Sequence, residues 1–214
     1  MRPHHVGVRK MRDWPIRVVP RFPVAVFLDR DGTINVDTHY PYRLEDLEFL
    51  PGALPALSAL AALPVNIVVV SNQAGIALGM YTLEAMAAFN RELRRQVAEA
   101  GGRIDAFYYC PHLERKNLRP GEQPCPCSKP APGMLLEAAA DFGLDLSRSM
   151  FAGDKASDIE AGIAAGCYTI LLASTRLTVK PSPDYVAPDL SAVVPIVHDL
   201  LDRRVALSGR HRTG

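Results

Sequence analysis

Two short apolar runs constrain this chain more than any other feature: Val24–Leu28 (VAVFL) and Val65–Val70 (VNIVVV), the second interrupted by Asn66 alone. A strand with one wet face alternates apolar and polar residues. Short continuous runs rich in β-branched residues belong instead to strands covered on both faces. Weaker runs of the same kind occur at 104–109, 149–152, 168–172 and 184–186. Between them, the spacing of apolar residues predicts helices over 53–62, 82–100, 132–142, 156–165 and 189–203. In the second of these, Leu83, Met86, Ala87, Phe89, Asn90 and Leu93 have the spacing of one helix face, with Thr82 placed to cap its start. Gly143 and Gly166 stand where helix C-caps belong. Strand and helix therefore alternate. The expected fold is α/β, a doubly wound, mostly parallel sheet with helices on both faces.

Such sheets bind ligands in the crevice at the carboxyl ends of their strands, so the residues after each run carry the functional reading. Asp29-Arg30-Asp31-Gly32-Thr33 follows the first run. Two carboxylates two residues apart repel and raise each other's pKa unless a cation joins them. A hard divalent ion with oxygen ligands, most naturally Mg²⁺, resolves that conflict. Taken alone, the segment also reads as an ordinary turn capped by Asp29 and bent at Gly32. Further chemistry follows the other runs in order. Ser71-Asn72-Gln73 offers a hydroxyl and two amides, Lys129-Pro130 opens a helix, and Gly153-Asp154-Lys155-Ala156-Ser157-Asp158 adds carboxylates. A lysine near a helix N-terminus can neutralise an anion held there.

This set, FLDRDGT, VVVSNQ, Lys129-Pro130 and GDKASD, resembles the four motifs of the haloacid dehalogenase superfamily of phosphohydrolases over roughly residues 24 to 175. The resemblance implies that Asp29 is a nucleophile forming an aspartyl-phosphate, and that Asp31 is the general acid and base. It implies Mg²⁺ held by Asp29, the main-chain carbonyl of Asp31, and Asp154. Ser71 and Lys129 would stabilise the transferring phosphoryl group, and Asp158 would support the metal or the lysine. Dehalogenating members lack the second aspartate, so Asp31 favours phosphate chemistry.

A second motif is Cys110-Pro-His112, then twelve residues, then Cys125-Pro-Cys127. Three thiols and one imidazole in two close pairs match a tetrahedral Zn²⁺ site with no position left for substrate. Such a zinc would be structural, ordering the proline-rich loop 110–128. Two unrelated surface pairs are the alternative. Cys167 lies in an apolar run and reads as a core residue.

From Asp29 to Ser71 is 42 residues and from Ser71 to Lys129 is 58, which leaves no room for a large cap domain. Within the superfamily, the capless, zinc-looped branch includes D-glycero-D-manno-heptose 1,7-bisphosphate phosphatases and histidinol-phosphate phosphatases. FLDRDGTINVD, SNQAGIA, YYCPH and KPAPGMLLEAA look closer to the first. By that resemblance Asp37, Thr38, His39, Tyr40, Ser71 to Ala74 (with Asn72 and Gln73), Ser128 and Lys155 contact substrate. Ser128 departs from the arginine common there, and Leu78 departs from a basic residue; both remove positive charge near the site. The expected activity is a Mg²⁺-dependent phosphomonoesterase acting on a sugar bisphosphate at its 7-phosphate. Histidinol phosphate is the nearer alternative, and a non-catalytic zinc module the one from another class.

Composition excludes other classes. Hydrophobic residues make up 48% of the 214, enough for a full core and too many for a disordered chain. No uncharged apolar run approaches the ~20 residues of a membrane span. The 24 basic and 23 acidic residues give a net charge of +1, which supplies no global field for nucleic acid or lipid. Residues 1–22 form a basic extension with no apolar stretch of the secretory kind. Residues 23–205 read as a single domain, and 206–214 as a tail. The expectation is a cytoplasmic monomer with reduced thiols.

Overall fold

The structure, a computed structural model, describes residues 9–10, 21–173 and 179–208. Most of the basic extension and the last residues of the expected tail lie outside the described residues. The described strands are β1 (Arg9–Lys10), β2 (Ala25–Leu28), β3 (Asn66–Asn72), β4 (Ala106–Cys110), β5 (Met150–Gly153), β6 (Tyr168–Leu172) and β7 (Tyr185–Ala187). The helices are α1 (Ala53–Ala61), α2 (Leu83–Glu99), α3 (Gly133–Phe142), α4 (Ala156–Ala165) and α5 (Leu190–Ser208). Strand order is β1-β4-β3-β2-β5-β6-β7, parallel throughout except at β1, which pairs antiparallel with β4.

Both long runs are buried on two faces, as their patterns require. Val26 and Leu28 pack with Ile67 and Val69 beneath α1, α2 and α5, through Leu57, Phe89 and Val193. Ala25 and Phe27 point the other way, joining Val68 and Val70 against Met134, Leu135 and Ala138 of α3. Asn66, the polar residue inside the second run, is fully buried. Its amide donates to the carbonyls of Phe22 at 2.6 Å and Val24 at 3.1 Å, so the interruption closes a backbone need.

The expected elements and caps are present. Thr82 Oγ1 accepts from the Ala85 N–H at 3.2 Å at the start of α2, and Gly143 and Gly166 take left-handed C-cap conformations. Cys167 is buried, and burial pushes its thiol up to about 12, as suits a core residue. Two details differ from the sequence reading. Arg9–Lys10, within the expected extension, adds a two-residue edge to the sheet. Helix α5 runs on to Ser208, past the end expected for the domain at 205.

The order of strand addition reverses around β2: β3 and β4 lie on one side, and β5, β6 and β7 on the other. The carboxyl end of β2 is thus the switch point at which α/β sheets bind ligands. Among the described residues, no helix is long and apolar enough to cross a membrane. Leu57 has no exposed surface and lies in the core away from that edge. Leu57→Ala is expected to lower the unfolding free energy by about 2–5 kcal/mol, measured by denaturant titration, while leaving the fold intact.

Candidate active site and metal centres

Asp29 follows the last residue of β2, and its N–H donates to the Ala152 carbonyl of β5 at 3.0 Å, so it stands at the switch point. Asp154 and Asp158 arrive from the end of β5 and the first turn of α4. One carboxylate oxygen from each of Asp29, Asp154 and Asp158 lies within 4.8 Å of the others. Such crowding needs positive charge. Lys129, 5% exposed, places Nζ 2.8 Å from Asp29 Oδ1 and 2.6 Å from Asp158 Oδ1. Burial works against the Lys129 ammonium, but Asp158 and Asp29 outweigh it and hold its pKa above the ordinary lysine range.

Local structure makes room for the cluster. A side chain at Gly153 would overlap the Asp158 carboxylate, and a Cβ at Gly32, where φ is +90°, would come within 2.7 Å of Asp154 Cγ. Asn72 fastens Lys129 from the next strand. Its Oδ1 accepts from the Lys129 N–H at 3.0 Å and its Nδ2 donates to the Lys129 carbonyl at 3.1 Å. Asn72, expected to meet substrate, therefore spends its side-chain amide on holding the lysine's backbone, although it also lines the cleft.

Lys155 sits at the other side. Its Nζ is 3.0 Å from Asp37 Oδ2, 3.5 Å from the Asp31 carbonyl oxygen and 4.0 Å from Asp154 Oδ2. Burial favours the neutral amine, but Asp29, Asp154 and Asp37 raise the Lys155 pKa. Burial would raise Asp37 too, yet the Lys155 hydrogen bond and charge hold it below the usual carboxylate range. The ion pair ties the loop of Asp37, Thr38, His39 and Tyr40 to the start of α4. His39 and Tyr40 both take positive φ, 64° and 66°, and the His39 N–H donates to Asp37 Oδ1 at 3.0 Å. Two consecutive non-glycine residues in that conformation are a strained turn of the kind found where a loop must meet a ligand.

Lys129 and Lys155 line a cleft of about 480 Å³, while Asp29, Asp154 and Asp158 lie outside its lining. Of the sequence-predicted residues, Asp31, Asp37, His39, Tyr40, Asn72, Lys129 and Lys155 line it. Gln73, Ala74 and Ser128 are buried and are not among its lining residues, nor is exposed Thr38. Ser128 Oγ meets no hydrogen-bond partner. Gln73 works beneath the cleft instead, its Nε2 donating to Ser71 Oγ at 2.7 Å and Asp31 Oδ2 at 3.2 Å. Glu114, Arg115 and Ser157 line the cleft and were not anticipated. The charged stretch Glu114-Arg115-Lys116 between the Cys110–His112 and Cys125–Cys127 pairs was the available signal, but sequence does not say which way a loop residue faces.

The carboxylates suit a hard cation. Asp154 Oδ1 is buried without a hydrogen-bond partner, and with the carboxylates of Asp29 and Asp158 it forms an all-oxygen acceptor set of the type Mg²⁺ takes. Cys110, His112, Cys125 and Cys127 also converge, with ligand atoms within 4.8 Å of one another. Cys127 Sγ lies 2.9 Å from Cys110 Sγ and 2.7 Å from Cys125 Sγ, and 3.5 Å from His112 Nδ1. The Cys127 hydrogen bond holds the Cys110 thiol down, to about 6, while the same bond and burial push Cys127 up. An N/S₃ set with Cys110 and Cys127 buried and His112 and Cys125 half-buried fits a thiolate-binding metal.

Burial, helped by the Asp29 charge, pushes Asp154 up to about 7 from an ordinary 3.8. A carboxyl raised in the folded state favours folding while neutral and costs stability as pH rises through the folded pKa. In metal-free protein, Asp154→Asn should therefore raise the melting temperature by an amount that grows between about pH 4 and pH 7 and levels off above. Thermal melts across that range check it, and a gain independent of pH would count against burial as the cause.

The match to known proteins follows the geometry. The HAD-hydrolase-like family model matches residues 126–193. The chain is 32% identical over 188 residues to the D-glycero-beta-D-manno-heptose-1,7-bisphosphate 7-phosphatase of Yersinia pestis, covering 88% of this chain and 97% of that protein. It is 37% identical over 163 residues to the protein of the same name from Escherichia coli K12, covering 76% and 85%. The crystal structure of D,D-heptose 1,7-bisphosphate phosphatase from B. bronchiseptica, complexed with magnesium and phosphate, superimposes with a TM-score of 0.71 at 29% identity, covering 83% of this chain and 99% of that one. With most of its length matched at this level, the chain belongs to the haloacid-dehalogenase-like phosphatases, in the family of the heptose-1,7-bisphosphate 7-phosphatases.

Proposed function

We propose that this chain is a Mg²⁺-dependent phosphomonoesterase that removes the 7-phosphate of D-glycero-β-D-manno-heptose 1,7-bisphosphate. The observation that carries the reading is the buried Asp29–Lys129 ion pair at a cleft of about 480 Å³, beside a further carboxylate with an unpartnered oxygen. The sugar is supported by the relatives, which bear that name over most of their length.

In this reading Asp29 attacks phosphorus, the bond from phosphorus to the sugar oxygen breaks, and Asp31 gives that oxygen its proton. Water then attacks the aspartyl-phosphate while Asp31 takes its proton, releasing inorganic phosphate and restoring Asp29. Lys129 and Ser71 meet the phosphoryl oxygens, since such transfers depend mainly on positioning and charge neutralisation. Asp29, Asp154 and the Asp31 carbonyl would hold Mg²⁺, which when bound adds positive charge against the phosphoryl oxygens. Lys155 and Arg115 supply cations on the cleft wall for the second phosphate, which Ser128 does not reach. The cysteine–histidine set would hold Zn²⁺ as a structural ion, ordering the loop that carries Arg115 and ends at Lys129.

Asp29→Asn should abolish hydrolysis of heptose bisphosphate while leaving the chain folded, checked by circular dichroism; turnover by that variant would remove the nucleophile. Wild-type rates on both heptose bisphosphate anomers and on histidinol phosphate, side by side, test the substrate, and a preference for histidinol phosphate would overturn it. Cys127→Ser is expected to lower bound zinc, read by elemental analysis, and to raise protease cleavage within 110–128. Full zinc content in that variant would refute the assignment.

A further inference from the structure

Among the described residues Arg30 is the largest fully buried side chain, 1% exposed, and it lies outside the cleft lining. Its guanidinium addresses both oxygens of the neighbouring carboxylate, Nε to Asp31 Oδ1 at 2.8 Å and Nη2 to Asp31 Oδ2 at 2.9 Å. The remaining donors are anchored in separate parts of the fold. Nη1 reaches Asn90 Oδ1 of α2 at 2.8 Å, and Nη2 also reaches the Pro41 carbonyl at 3.0 Å and Gln73 Oε1 at 3.3 Å. Arg30 Cζ lies over the Phe89 ring, 4.6 Å from its centroid. Asn35 Nδ2 and Gln73 Nε2 complete the hold on Asp31, at 3.0 and 3.2 Å.

We infer that Arg30 is a positioning residue for proton transfer, locking the Asp31 carboxyl in the orientation that meets the leaving oxygen without itself touching substrate. This rests on the reading of Asp31 as the proton-transfer group. Burying a guanidinium and a carboxylate costs large desolvation energy and is weak ground for a stability role. What a bidentate fork supplies is direction, which a lysine's single ammonium cannot reproduce. Direction is what a general acid needs, because proton donation requires the acid within about 2.6–3.2 Å of its target. Asp31 keeps a 12% exposed side chain, so the carboxyl is gripped from behind and open only towards the cleft it lines.

The test uses leaving groups. A sugar alkoxide must be protonated as it departs, whereas 4-nitrophenolate leaves with little help, so a misaligned acid harms the first ester selectively. Arg30→Lys and Asn90→Leu, which unseats the guanidinium from α2, are compared with wild type and Asp31→Asn on heptose bisphosphate and 4-nitrophenyl phosphate. Arg30→Lys should lower kcat on the sugar ester by about 10²-fold, with KM little changed and a much smaller fall on the aryl ester. Asn90→Leu should show the same selectivity at smaller size, and it carries the test if Arg30→Lys does not fold. Equal falls on both esters, or no fall, in a folded variant overturn the positioning role. If Asp31→Asn also falls equally on both, the acid–base reading fails; if only Asp31→Asn is selective, Arg30 alone is refuted.

Discussion

Three aspartates are brought to one edge of the sheet, and their mutual repulsion is the constraint that the surrounding structure answers. Asp29, Asp154 and Asp158 stand within a few ångströms of one another, with Lys129 inserted between two of them. Coulombic repulsion at that range is severe when water is excluded. The lysine must therefore be held, and much of the local architecture holds it: the Asn72 amide clasps its backbone, Val70 accepts from its ammonium at 3.2 Å, and Phe151 lies beneath. The cysteine–histidine cluster ends at Cys127, so whatever orders that loop also orders the approach to Lys129. An unpartnered oxygen remains on Asp154, and a further cation would complete the balance.

A second network lies behind the first and is made of polar side chains in the core. Tyr81 donates to Gln73 Oε1 at 2.8 Å, Gln73 bridges Ser71 and Asp31, and Arg30 joins them to α2. Buried networks of this kind are useful only when nearly every member is satisfied, because an orphaned group at low dielectric is costly. This one is nearly closed; Asn35 Oδ1 and Thr33 Oγ1 are the exceptions nearby. The effect is a carboxyl at Asp31 whose orientation is set by residues distant in sequence.

Legibility differed between these layers for physical reasons. The strands at Val24–Leu28 and Val65–Val70 were readable because two-sided burial demands nearly continuous apolar runs, and the helices because one-sided burial imposes their period. The carboxylates and the cysteine–histidine pairs were readable because like charges and clustered thiols need a stated partner. Residues of the cleft wall were harder. Gln73 and Ser128 sit in motifs next to the chemistry, yet their side chains turn into the protein, and Asn72 at the cleft wall spends its amide on the Lys129 backbone. Glu114 and Arg115 sit in an irregular loop and turn towards the cleft. Loop residues lack a period that would reveal their direction.

From the order of its residues alone, this chain determined its layered α/β class, the positions after which chemistry must appear, and the two sets of groups suited to metals. Each follows from a local rule: apolar period, charge repulsion, or ligand type and spacing. Tertiary structure alone decided which polar groups face the cleft and which serve as supports. The pairing of Lys129 with Asp158, the grip of Arg30 on Asp31 from within the core, and the closure of Asp37 onto Lys155 join segments folded together from across the sheet. Their energies depend on burial and distance, which only the packed molecule fixes.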